Sequence, residues 1–235
     1  TYSEYGGDAW PMLKGTVPIG ALVIGLAALL FLPYYIEFKS SLTGIYTVPT
    51  TTRPIHLFLV WGLYLVVVAP FVIVAFWQTR VTHDWPRLTV LAFSVGFLPY
   101  LVWASMSLGE GGTAADLGGR FFHVLPFGLL ISASVYSAIW SAKRGGRDGV
   151  TFALLLAALG LLLIMGSDLL FIGDTFGNRM NTVFKLYYQA WILLAVSSGF
   201  SIYYWRLLRD SVKGWTRPLT LLWAGTLVIL LAGSL

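Results

Sequence analysis

The chain has 235 residues, of which 57% are hydrophobic and only 11% charged. A soluble domain carries about a quarter charged residues, so this composition excludes an ordinary soluble fold and points to several membrane spans. The absence of cysteine rules out disulfides and thiolate metal sites, and the net charge of +5 reflects basic residues in the connecting loops, a topology signal rather than the mark of a nucleic-acid partner.

In chain order, the opening stretch "TYSEYGGDAWPMLKG" is polar and lacks the basic region that precedes the core of a cleavable signal. The chain starts at Thr1 rather than Met, which reads as a fragment or a processed product. Seven apolar runs follow, at roughly 17–36, 55–77, 87–106, 121–140, 150–170, 182–204 and 218–234. Each is long enough to cross a hydrocarbon core of about 30 Å as a helix. The runs are continuously apolar and do not alternate, so helices rather than barrel strands are predicted. The expectation is an all-α, polytopic integral membrane bundle of about seven transmembrane helices, a single domain over 1–235. Pro33, Pro70 and Pro99 fall inside the runs as architectural kinks, and Pro54 suits the first residue of a helix.

The connections set an orientation. Ten of the fifteen basic residues lie on one side, at Lys14, Arg80, Arg87, Lys143, Arg144, Arg147, Arg206, Arg209, Lys213 and Arg217. Lys39, Arg53, Arg120, Arg179 and Lys185 lie on the other. The positive-inside rule therefore predicts the N-terminus inside and the C-terminus outside. The inner connections are short and basic. The outer ones, "EFKSSLTGIYTVPTTTRPIH" (37–56), "SLGEGGTAADLGGRFFH" (107–123) and "FIGDTFGNRMN" (171–181), are rich in Gly, Pro and hydroxyl residues. Loops on a rigid scaffold tend to carry function, so the outer face is the place to look.

The sixth run opens with polar residues. A 100° step per residue puts Asn181, Lys185, Tyr188 and Gln189 on one arc of about 100°, expected to face inward. With Arg179 and the helix N-terminus, Lys185 makes an anion site that would suit a phosphate headgroup. The alternative pairs Lys185 with Asp168 or Asp174 and lets Arg179 snorkel to the interface. Both aspartates also read as structural counter-ions. Arg120 and His123 share a helical face at the head of the fourth run. His56, His123, Glu110 and Asp116 would admit a divalent cation, but their spacing has no metal pattern and interfacial histidines fit better. At the first bend, Tyr34 and Tyr35 read as interfacial anchors, with Glu37 and Lys39 as a surface pair. No phosphate-binding loop, dinucleotide fingerprint or nucleophile elbow occurs.

The segment "GDTFGNRMNTVFKLYYQAWILLA" (173–195) resembles the signature of the YYY-type hydrophobic membrane proteins (Chlor_Arch_YYY) of archaea and Chloroflexi. The match runs through Arg179, Met180, Asn181, Thr182, Val183, Phe184 and Lys185 to Tyr187, Tyr188 and Gln189. "LPYYIEFKSSLTGI" (32–45) and "GGRFFHVLP" (118–126) are looser matches. The resemblance covers the chain as the C-terminal part of a longer protein. That family looks like the GT-C glycosyltransferases, which transfer sugars from polyprenyl-phosphate donors at the outer membrane face. The resemblance implies a plasma-membrane, multi-pass protein of a prokaryote. In it Arg179 and Lys185 would grip a lipid-linked phosphate, helped by Asn181, Gln189 and Arg120, with Asp174 as the candidate catalytic acid. The family's Asp-Leu-His segment is absent, which would place the remaining catalytic acid outside this chain. The implied partners are membrane lipids, the polyprenyl-phosphate-sugar donor and other membrane subunits. The alternative is a non-catalytic transmembrane subunit of a larger complex, and a transporter is a weaker third.

Overall fold

The computed structural model describes residues 9–37, 42–80, 86–143, 148–208 and 216–233. Seven α-helices follow in order: α1 (Ala9–Glu37), α2 (Pro54–Arg80), α3 (Pro86–Gly109), α4 (Ala114–Lys143), α5 (Asp148–Leu169), α6 (Met180–Leu208) and α7 (Thr216–Gly233). Five of them contain stretches long and apolar enough to cross a membrane, within α1 to α5. The α6 helix misses that mark because its first turns carry Asn181, Lys185 and Gln189 and its middle carries serines.

The centre of the molecule is α5, packed between α4 and α6. Its length is almost wholly apolar, and Leu154, Leu161, Ile164 and Met165 are buried along it. Around it, α2 covers α4 and α6, while α3 covers α4. Trp61 and Phe71 of α2, Trp103 of α3 and Ile131 of α4 are among the large side chains buried there. The α7 helix leans on α2, where the Trp223 indole N–H donates to the Val66 carbonyl at 2.6 Å. No other described element covers the α1 span.

Water supplies no driving force between helices in lipid, so close backbone approach through small residues does that work. A Cβ on Gly96 of α3 would strike Ser132 Oγ of α4 and come within 2.6 Å of the Gly128 carbonyl. A Cβ on Gly160 of α5 would meet Leu194 of α6 at 2.8 Å. The Ser197 hydroxyl donates to the Ala153 carbonyl at 3.0 Å, tying α6 to α5 where both are buried.

One feature departs from pure helix. The α5 helix stops at Leu169, and Leu170–Gly173 runs on as strand β2, antiparallel to β1 (Gly44–Thr47), with Gly44 opposite Gly173 and Thr47 opposite Leu170. The ladder continues through Thr43 N–H to the Gly173 carbonyl at 2.9 Å and Val48 N–H to the Leu169 carbonyl at 2.8 Å. Extended backbone at a membrane surface needs such partners. Gly173 has no room for a side chain, since a Cβ there would run into the Tyr46 ring and Thr43. The ribbon joins two of the connections that the sequence treats as separate loops. A third joins them where the Thr47 hydroxyl donates to Glu110 at 2.7 Å.

Gly96→Ala should destabilise the bundle by about 1–3 kcal/mol through overpacking. Gly20→Ala in α1, with open space around it, should be neutral or slightly stabilising. Thermal unfolding in detergent distinguishes the two, and equal melting temperatures would contradict the packing described.

Candidate functional site

At the ribbon end of the bundle, the Asp168 carboxylate, one residue before the end of α5, is buried at 3% exposure. Its Oδ1 accepts from the Thr52 amide at 2.8 Å, the Thr52 hydroxyl at 2.6 Å and Arg179 Nη1 at 3.0 Å. Its Oδ2 lies 2.8 Å from His123 Nε2. The Thr52 hydroxyl donates to the carboxylate and in turn accepts from Arg179 Nη2 at 3.2 Å. One carboxylate therefore joins the loop before α2, the third turn of α4, the end of α5 and the turn before α6.

A second cation braces the same place. Arg120 is buried, with its guanidinium 4.7 Å over the Trp103 ring. Its Nη2 donates to the carbonyls of Val48 at 2.8 Å and Pro49 at 3.2 Å, and Nη1 reaches the Asp168 carbonyl at 3.4 Å. These bonds pin the loop that follows β1 onto the ends of α4 and α5.

Asp174, the candidate catalytic acid, holds a turn. Its Oδ1 accepts from the Phe176 amide at 3.0 Å and its Oδ2 from the Asn181 side-chain amide at 2.7 Å. Asn178 Oδ1 accepts from the Met180 amide at 2.9 Å, satisfying one free N–H at the start of α6. Thr182 Oγ1 accepts from the Ile172 amide at 2.9 Å, tying α6 to β2. Gly177, with φ +61°, supplies the left-handed step that this tight turn requires.

Beside this network a trough of about 780 Å³ lies between α2 and α6. Thr52, Asn178 and Arg179 form its polar end, and Arg179 is the one charged residue in its lining. Val60, Trp61, Val183, Phe184, Tyr187, Tyr188 and Trp191 line the rest. Trp61 is buried, with the Tyr187 ring edge-on at 4.9 Å, while the Phe184, Tyr188 and Trp191 rims are exposed. From Val183 to Trp191 the lining follows α6 for about 12 Å at 1.5 Å per residue.

The structure corrects the expected inward stripe. Lys185, Tyr188 and Gln189 are exposed, and α6 instead turns Thr182, Ala190, Leu194, Ser197 and Ser201 inward. The physical reason is closeness: small residues let α6 lie against α5, where a lysine would find no partner. Asn181 is engaged with Asp174. Lys185 and Gln189 line neither the trough nor the Asp168 network. Asp168 is taken by Arg179 and His123, and Asp174 by Asn181, so neither pairs with Lys185. His56, His123, Glu110 and Asp116 are not gathered either, and no group of three or more His, Asp or Glu able to hold a metal occurs among the described residues. The sequence reading missed Thr52 and the aromatic trough. Thr52 lies in a run of three threonines 116 residues from Asp168, and nothing local distinguishes it.

A family model described as "Uncharacterized membrane protein (DUF2298)" matches residues 8–194, from just before α1 to the middle of α6. No curated protein and no solved structure matches the chain.

Removing the Asp168 charge leaves Arg179 and His123 without their shared counter-charge. Asp168→Asn should cost about 3 kcal/mol, the low end of the range for breaking a buried pair, since Arg179 is partly exposed. A thermal melt in detergent checks this. An unchanged melting temperature would show that the carboxylate does not hold the four segments together.

Proposed function

The chain belongs to the uncharacterized membrane protein family DUF2298, and on that premise we propose that the trough between α2 and α6 binds a polyprenyl phosphate. The observation that carries this reading is the trough's polarity. It is an apolar, aromatic channel with a single guanidinium at one end, the complement of a long hydrocarbon chain bearing one anionic head. Charge supports it too. Arg120 is held by the main-chain carbonyls of Val48, Pro49 and Asp168 and only Arg179 bonds the Asp168 carboxylate, so two guanidiniums stand beside one acid and the cluster keeps an excess positive charge that an anion would balance. The exposed rims leave the trough open on the flank of the bundle, where a chain enters from the bilayer without leaving it.

The fuller reading is a glycosyltransferase-like protein working at the outer face of a prokaryotic plasma membrane. A sugar carried on the bound phosphate is transferred to an acceptor hydroxyl, and Arg179 stabilises the charge of the departing lipid phosphate. In that scheme Arg179 is the phosphate ligand, and Asp174 with Asn181 shapes the turn that presents it. The basic connections support an N-terminus inside and a C-terminus outside, which puts the ribbon and the Asp168 network at the outer surface. A non-catalytic membrane subunit remains the second reading. It is favoured by Lys185 and Gln189, polar side chains on the open side of α6 that are costly against lipid and would be covered by another membrane protein.

Two experiments test these readings. Val183→Trp, which fills the trough without touching a charge, should weaken polyprenyl phosphate binding at least about tenfold. Leu222→Trp on the exposed side of α7 should leave binding unchanged, and equal binding by both variants would exclude the trough. Because the chain has no native cysteine, single cysteines report sidedness cleanly. Asn178→Cys should label with a membrane-impermeant maleimide from outside intact cells, and Lys143→Cys only after permeabilisation. The reverse pattern would invert the orientation.

A further inference from the structure

The Asp168 carboxylate carries one charge and serves two basic side chains at opposite oxygens, Arg179 at Oδ1 and His123 at Oδ2. The other described acids near this end are engaged elsewhere. Asp174 accepts from Phe176 and Asn181, Asp116 from Thr113, and Glu110 from Thr47. His123 is therefore faced by Asp168 from α5, by Arg120 one turn away on its own helix, and by Thr52 and Arg179 across the shared carboxylate.

This geometry has two charge states. With a neutral imidazole, Nε2–H donates to Oδ2 and the full charge of Asp168 remains to balance Arg179. With an imidazolium, the same hydrogen bond becomes an ion pair, Asp168 is balanced by His123, and Arg179 is left as an uncompensated cation at the head of the trough. We propose that His123, acting through Asp168, sets the charge of the phosphate site, so that lipid phosphate binds with uptake of a proton on His123. His123 is thus a positioning residue for the ligand and touches it only through Asp168 and Arg179. The inference rests on the trough reading above. Linkage fixes its sign: a bound anion favours the charged imidazole, so the charged imidazole favours the bound anion to the same degree. Affinity should therefore rise as pH falls.

The test uses the full chain in nanodiscs of zwitterionic lipid and a polyprenyl methyl phosphodiester. The single charge of this probe does not titrate over the range, so any pH dependence belongs to the protein. Between about pH 8 and pH 5.5 the wild type should bind about tenfold more tightly, within the usual span of coupling between two sites. His123→Gln, which keeps a donor for Asp168 but cannot take up a proton, should bind with little pH dependence at the weak, high-pH level. His123→Lys should bind near the tight level throughout, and the Gln variant decides the matter if the Lys variant does not fold. A flat profile in the wild type, or a pH dependence that survives in His123→Gln, would overturn the proposal. If that flat binding is still abolished by Val183→Trp, the trough reading stands and only the role of His123 falls. No binding of the phosphodiester at any pH removes both.

Discussion

The ribbon end of this protein depends on one buried carboxylate. Asp168 lies where α5 gives way to β2, and it takes hydrogen bonds from a threonine before α2, a histidine on α4 and an arginine before α6. An unpaired charge at that depth would be strongly unfavourable, and each partner would be equally poor company for lipid alone. Brought together, they satisfy one another and fix the positions of four chain segments. The ribbon between β1 and β2 and the Arg120 bonds to the carbonyls of Val48 and Pro49 brace the same junction from the other side.

That junction gives the neighbouring trough its character. Arg179 is held by Asp168 and Thr52 in a fixed direction, so its guanidinium forms a defined polar end rather than a mobile surface charge. Below it, the aromatic faces of α6 and α2 continue as an apolar channel. Support and binding are thereby coupled: the group that anchors the fold is also the counter-ion of Arg179, the residue proposed to bind the phosphate. Whatever alters the charge balance around Asp168 alters what the trough can hold.

Much of the architecture was legible in the sequence because it rests on composition. Continuous apolar runs of bilayer length dictate helices, and the described part of the connection before α2, from residue 42 on, does meet the connection 171–181 at one end. What stayed hidden was long-range pairing. The strands Gly44–Thr47 and Leu170–Gly173 are four residues each, too short to show a period of two. Arg179 was singled out as a ligand, but its partner Thr52 is distant and locally unremarkable. Lys185 and Gln189 were expected to face inward because polarity was assumed to seek the interior. The buried face of α6 was decided instead by Ala190, Ser197 and Ser201, whose small size permits contact with α5. Helical spacing gave the right arc and the wrong direction.

The central claim is that the trough between α2 and α6 is a lipid-phosphate site headed by Arg179. The most direct measurement is an electron cryomicroscopy structure of the protein in nanodiscs supplied with polyprenyl phosphate. The account predicts an elongated density between α2 and α6, along Val183 to Trp191, ending in a phosphate within hydrogen-bonding distance of Arg179. A trough filled by protein side chains, or a lipid phosphate bound elsewhere with Arg179 contacting only Asp168 and Thr52, would contradict it.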